Sequence, residues 1–195
     1  MGKISLYDVI PTVASLSDLV IGTDVTNNNE TVNFKLSQIL ELYSTMTEKA
    51  SLTSTINQSA TTINTPTTLS FNTKLINTAS IIALPSVGPT YTSIQIGNAG
   101  TYLVQCAITI TSSSTGQEVS GWLNVNGANV GSAYITTITG VGYNTLVMSW
   151  LYNFTQANTL SIIWQTSSLN SSLIAVGAGA SRPNIPSARI TISQV

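Results

Sequence analysis

The chain contains no histidine, a single cysteine at Cys106, and only 7% charged residues among its 195. Histidine is the usual base that activates a serine or cysteine nucleophile, so its absence excludes a hydrolase of the triad type. A lone cysteine excludes an intramolecular disulfide. No Cys or carboxylate cluster has the spacing of metal ligands, and no glycine-rich phosphate motif is present. We therefore expect no catalytic residue, no metal and no cofactor.

Charge is especially scarce in the C-terminal two thirds of the chain. From Leu75 onward the only charged residues are Glu118, Arg182 and Arg189. Without a basic stripe, the chain has almost nothing with which to bind a phosphate backbone, so we expect no nucleic-acid partner. A single carboxylate also excludes the two-carboxylate chemistry of most glycosidases. No apolar run approaches the roughly 20 residues of a membrane span, so we expect no membrane insertion.

The sequence does have strands' characteristic alternation of apolar and mostly polar residues, and this alternation is longest from Ala99 to Thr111. Its apolar face carries Tyr102, Val104, Cys106, Ile108 and Ile110. Alternation over this length predicts a long, half-buried antiparallel strand, in which Cys106 packs as a small hydrophobe. The turn residues Gly97–Gly100, preceded by the shorter apolar run Tyr91–Ile96, predict a hairpin.

The same pattern recurs over residues 66–195, with turn residues and no helices between the runs. About eight such strands predict a C-terminal jelly-roll β-sandwich, so the fold class is mainly β. The runs are Leu69–Ile76, Ser80–Leu84, Glu118–Asn126, Ala133–Ile138, Thr145–Phe154, Leu160–Gln165 and Arg189–Val195. Asn126-Gly127 is a strong hairpin signal.

The run Thr145–Phe154 is apolar on both of its faces, which means that two layers must cover it. Trp150 and Tyr152 lie on one face, and Val147 and Leu151 lie on the other. A monomeric sandwich of this size is expected to leave part of this surface exposed, and so we predict a homotrimer. The candidate residues for the trimer interface or the core are Val147, Trp150, Leu151, Tyr152 and Trp164.

Residues 1–36 are predicted to form an N-terminal arm and a small β-hairpin, with strands at Leu19–Ile21 and Val32–Phe34. The segment is too short for a core of its own, so its apolar residues need a partner surface. The candidate anchor residues are Ile4, Leu6, Val9, Ile10, Leu19, Val20 and Ile21. The alternative for this segment is a disordered tail.

Residues 37–65 are predicted to connect the hairpin to the sandwich. Apolar residues recur at helical spacing from Leu36 to Met46, and Ser37 is a suitable N-cap. A weaker stripe continues through Ala50, Thr53, Ile56, Ala60 and Ile63 at the three- and four-residue spacing of a coiled-coil seam. Two interpretations remain open: a coiled-coil stalk, or a short helix followed by a threonine-rich linker.

Two blocks of the sequence resemble known families. The block Ser17–Leu40, with Ile21-Gly22-Thr23-Asp24 and Asn33-Phe34-Lys35-Leu36-Ser37, is similar to the N-terminal pattern of bacteriophage fibre and head-decoration proteins. Gly100 and Tyr102, with the segment Trp122–Gly127, resemble the trimeric jelly roll of the tumour-necrosis-factor and complement type. Together the resemblances imply a non-enzymatic homotrimeric virion protein. They imply that its N-terminus binds a capsid or other virion protein and that its β head lies on the exterior of the particle.

A second hypothesis is a receptor- or carbohydrate-binding head that contacts a host surface glycan. Trp122, Tyr134, Tyr143 and Arg182 are its candidate ligand contacts, because aromatic rings stack and guanidinium groups donate hydrogen bonds. Trp122 has the opposite parity to Leu123 and is therefore expected to point away from the core. The alternative for Trp122 is burial in the trimer interface.

Overall fold

A computed structural model describes residues 19–24, 30–35, 49–78, 80–85, 89–179 and 181–195. The chain divides into two compact units, residues 1–46 and residues 47–195. The predicted helix at Leu36–Met46 and the anchor residues Ile4, Leu6, Val9 and Ile10 lie outside the described residues.

The N-terminal unit contains the predicted hairpin. Strands β1 (Leu19–Asp24) and β2 (Glu30–Lys35) pair antiparallel, with Leu19 opposite Lys35 and Asp24 opposite Glu30. Both strands are longer than the apolar residues alone predicted, because backbone pairing continues into the polar residues beside the turn. The candidate anchor residues Leu19, Val20 and Ile21 all lie on β1.

The second unit is a sandwich of two antiparallel sheets, which confirms the predicted mainly-β class. Within the described residues, one sheet has six strands: β5 (Thr67–Thr68), β7 (Ile81–Pro85), β8 (Tyr91–Ile96), β10 (Glu118–Val125), β11 (Ala128–Thr137) and β13 (Asn158–Thr166). The other sheet has seven: β3 (Lys49–Ser54), β4 (Gln58–Ser59), β6 (Thr73–Asn77), β9 (Gly100–Ser112), β12 (Gly142–Phe154), β14 (Ser171–Leu173) and β15 (Ala188–Gln194).

Strand β9 is the centre of the seven-stranded sheet, as its length predicted. Its whole length pairs with β12 on one side, and β15 and β14 follow one another along its other side. The predicted apolar face is at most 1% exposed at each of Tyr102, Val104, Cys106, Ile108 and Ile110. These side chains form one wall of the core.

The six-stranded sheet supplies the other wall of the core. Leu160, Ile162 and Trp164 of β13 and Leu123 of β10 are all at most 1% exposed. The hairpin between β10 and β11 turns at Asn126 and Gly127, whose φ angles of 51° and 84° fit the turn that this dipeptide favours. This prediction is confirmed.

The predicted hairpin between Tyr91–Ile96 and the long strand is wrong. Strand β8 pairs with β7 and β13 in the six-stranded sheet, whereas β9 lies in the other sheet. The glycine-containing segment between them therefore carries the chain from one sheet to the other. A turn signal indicates a reversal of the chain, but it does not determine which strand supplies the hydrogen bonds.

Residues 49–54 form a strand, where the sequence predicted a coiled coil or a linker. Strand β3 pairs with β15 on one side and with β6 on the other, and Ala50 and Leu52 are each 1% exposed. Two neighbouring strands satisfy the backbone groups of β3, and this tertiary pairing overrides a weak helical stripe. The second unit thus begins at Thr47 and not at residue 66.

Candidate interaction surfaces

The outward side of β9 and β12, here called the β9–β12 face, carries a group of exposed apolar side chains. Val147 lies opposite Ala107, and Leu151 lies opposite Leu103. Val147 is 62% exposed and Leu151 is 68% exposed. Apolar residues this exposed, on one face of one sheet, are typical of a surface that another protein covers.

Charge is almost absent from the surroundings of this face. The outward neighbours on β9 and β15 include Gln105, Thr109 and Thr191, and Arg189 is the charged side chain beside Ala107. Hydroxyl and amide groups cost much less to desolvate than ionised groups do. Water can therefore be removed from the β9–β12 face at a low electrostatic cost.

The two tryptophans that were candidates for the trimer interface or the core lie in the core. Trp164 is 0% exposed and Trp150 is 6% exposed, so the exposed part of β12 is its other face. Trp150 is covered by β11: its indole N–H donates to the carbonyl of Ser132 at 3.0 Å, and Tyr134 packs edge-on at 5.3 Å between ring centroids. The sequence could not show this, because β11 and β12 belong to different sheets.

Tyr152 is also directed towards the chain's own interior. It is half-buried, and its ring packs edge-on against Phe154 with the centroids 4.6 Å apart. Of the five candidates, Val147 and Leu151 are the two that the chain leaves uncovered.

The four candidate ligand contacts are distributed over the sandwich and do not form one site. Tyr134 is half-buried, and its hydroxyl donates to the carbonyl of Ser149, so it links β11 to β12. Tyr143 is 66% exposed on β12, in the seven-stranded sheet. Arg182 lies in the connection before β15, where its backbone pairs with Gly179.

Trp122 lies on the outer side of the six-stranded sheet, as its parity predicted. Leu123 beside it is 0% exposed, whereas Trp122 is partly exposed. The indole N–H of Trp122 donates to Oδ1 of Asn129 at 2.8 Å, and Nδ2 of Asn124 donates to the same oxygen at 2.9 Å. These bonds hold the ring in one orientation on the surface.

Cys106 is part of the core. It is 1% exposed, and burial raises the pKa of its thiol far above the usual range, because the thiolate would lose its hydration. A buried thiol with a raised pKa is a poor nucleophile, which agrees with the predicted packing role.

Within the described residues, no three His, Cys, Asp or Glu side chains come close enough together to hold a metal ion. The same part of the chain contains no helix with the length and apolar character of a membrane span.

No family model and no curated relative matches the sequence. Solved structures do match. Murine APRIL, in a crystal at pH 8.5, has a TM-score of 0.50 and 8% identity over 76% of this chain and 99% of its own. A crystal of the same protein at pH 8.0 gives 0.50 and 7% over the same shares. The globular domain of the zebrafish complement 1qA protein gives 0.49 and 9% over 74% of this chain and 94% of its own.

APRIL belongs to the tumour-necrosis-factor family, and the likeness to it shows the fold. The second unit of this chain is thus a jelly-roll sandwich of the tumour-necrosis-factor type, as the sequence resemblance implied.

Proposed function

We propose that this chain is a non-enzymatic structural protein of a bacteriophage virion, a homotrimeric fibre or decoration protein. In this proposal its N-terminal unit binds a capsid or other virion protein, and its β-sandwich is displayed on the exterior of the particle. The observation that carries the trimer is the apolar β9–β12 face, which has few charges around it, on a sandwich of the tumour-necrosis-factor type.

Burial of the β9–β12 face supports self-association. Val147 and Leu151 expose about two thirds of their surfaces in the single chain. Burying apolar area stabilises a complex by roughly 25 cal/mol per Å². Charged side chains, which oppose such burial, are nearly absent there, with Arg189 beside Ala107 as the charged neighbour, so another copy of the same surface is a suitable partner.

The order of the two units supports the virion role. A hairpin with the Ile21-Gly22-Thr23-Asp24 and Asn33-Phe34 elements precedes a jelly roll, and this order resembles that of phage fibre and decoration proteins. The hairpin belongs to a unit of its own, residues 1–46, which fits a segment that attaches to a different surface. Strand β1 is suited to pairing with an exposed sheet edge, where backbone hydrogen bonds supply the affinity.

We propose that the protein is not an enzyme because of the residue types that it contains. The sequence has no histidine, and Glu118 is the only carboxylate from Leu75 onward. A second role, as a receptor- or carbohydrate-binding head, is favoured by the oriented ring of Trp122 on the other sheet. The two roles are compatible within one protein.

Light scattering on the full chain at micromolar concentration tests the trimer. We expect three times the chain mass for the unaltered protein and the mass of one chain for the double variant Val147→Asp/Leu151→Asp. The matched control is Ile82→Asp/Ile135→Asp, which places the same two charges at exposed apolar positions of the other sheet and is expected to remain trimeric. A monomeric unaltered protein would refute the proposal.

A further inference from the structure

The outer side of the six-stranded sheet contains a shallow depression beside Trp122. Its volume is about 70 Å³, which is more than the roughly 10–15 Å³ that a cavity needs to hold one water. Side chains from four separate segments of the chain line it: Asn64, Glu118, Ser120, Ile135, Gln165 and Ser167.

The strand register places this depression and the tryptophan side by side. Ser120 pairs with Ile135 on one side and with Gln165 on the other. Trp122 follows Ser120 by two residues on the same face, which is about 7 Å along the strand. The depression and the indole ring are therefore within the span of one or two sugar rings.

Two of the groups at the depression, the hydroxyl of Ser167 and the ring of Trp122, are held in place before any ligand binds. The backbone N–H of Glu118 donates to Oγ of Ser167 at 2.9 Å, which positions that hydroxyl group. Trp122 is oriented through Asn129, as described above. A rigid aromatic ring next to a few convergent polar groups is typical of a site for a small ligand.

The chemistry of these groups indicates the class of ligand. Two amides, two hydroxyls and one carboxylate supply both donors and acceptors, which is what a row of sugar hydroxyls requires. Only Glu118 among the lining residues is charged, and a carboxylate repels an anionic ligand. A single carboxylate is also too few for a calcium site, which takes six to eight oxygen ligands.

We propose that the outer face of the six-stranded sheet binds an uncharged sugar. The hydroxyls of the sugar enter the depression at Glu118, and its ring or the next one stacks on Trp122. This inference deepens the proposed function by naming a ligand class for the displayed head. This surface lies on the sheet opposite to the β9–β12 face, through which the proposed trimer forms.

Calorimetric titration of the full chain tests the inference. The probes are lactose, maltotriose and N,N′,N″-triacetylchitotriose, with sialyllactose as the anionic counterpart of lactose. We expect at least one of the neutral probes to bind, and we expect sialyllactose to bind no more tightly than lactose. Trp122→Ala and Glu118→Ala are each expected to weaken binding about tenfold or more. The first removes the stacking surface, and the second removes a charged hydrogen-bond acceptor.

Two further variants keep the test specific. Trp122→Phe retains an aromatic ring and is expected to recover part of the affinity. Ile82→Ala changes an exposed residue of β7, three strands away from β10 in the same sheet, and is expected to bind as the unaltered protein does. The inference is overturned if no neutral probe binds, if sialyllactose is preferred to lactose, or if Ile82→Ala loses as much affinity as Trp122→Ala.

Light scattering on the same samples separates the two proposals. A trimer that binds none of the neutral probes overturns the sugar site and leaves the proposed trimer intact. A monomer that binds a neutral probe supports the sugar site and contradicts the proposed trimer.

Discussion

Gly121 allows the two sheets to pack closely at the centre of the core. It lies on β10 and faces Met148 of β12. A Cβ atom added at Gly121 would overlap Sδ of Met148. It would also lie 3.2 Å from Cε of Met148 and 3.4 Å from the carbonyl oxygen of Ile163. Met148 is 0% exposed, so its thioether has no solvent into which to move.

We therefore expect Gly121→Ala to destabilise the protein. Overpacking of a well-packed core costs about 1–3 kcal/mol, out of a typical total of about 5–15 kcal/mol. Urea unfolding at one fixed chain concentration measures this loss as a lower midpoint with an unchanged slope.

The matched control is Gly140→Ala. A Cβ atom at Gly140 meets nothing within 4 Å, so this substitution is expected to change the stability by no more than about 0.5 kcal/mol. The cause is tested by adding Met148→Ala, which alone costs about 2–5 kcal/mol through the cavity it leaves. Since the smaller side chain makes room for the new methyl group, the double variant should lose at least about 1 kcal/mol less than the sum of the single losses. Equal stability of Gly121→Ala and Gly140→Ala, or strict additivity, would refute the packing argument.

Four other predictions concern Cys106, Tyr134 and the N-terminal segment. Cys106→Ala is expected to lower the free energy of unfolding by about 1 kcal/mol without changing the oligomeric state, measured by urea unfolding and light scattering. Because the pKa of this thiol is raised on folding, the unaltered protein should lose stability faster than Cys106→Ala as the pH rises above about 8.5, and parallel pH profiles would contradict this. Tyr134→Phe removes the hydrogen bond to Ser149 and should cost about 0.5–1.5 kcal/mol in the same assay, whereas Tyr143→Phe, at an exposed ring, should cost almost nothing. Deletion of residues 2–35 should leave soluble trimers that have unchanged thermal unfolding but no longer join virions. Quantitative mass spectrometry of purified particles counts the copies, and incorporation at the normal copy number would contradict the anchor role.

The inward and outward faces of the long strands could be predicted from the sequence. Alternation in β9 identified each buried side chain from Tyr102 to Ile110, and parity placed Trp122 outside. Such predictions succeed because successive side chains of a strand point to opposite sides, which is a local property of the backbone. The depression beside Trp122 was not predicted as a unit, because Asn64, Glu118 and Gln165 are far apart in sequence. Glu118 and Gln165 come together through the pairing of β10 with β13, and Asn64 joins them through a hydrogen bond from its backbone N–H to the carbonyl of Thr166.

By itself, the sequence determined the mainly-β class, the hairpin at Asn126 and Gly127, and the two apolar faces of β12, since each depends on residues that are neighbours in the chain. Only the tertiary structure decided that residues 49–54 form a strand, that β8 joins the opposite sheet from β9, and that β11 covers Trp150 while Val147 stays exposed. The reason is that backbone hydrogen bonds between strands are the same for every residue type. The choice of partner strand, and of the surface that remains uncovered, therefore depends on how all the strands fill one core.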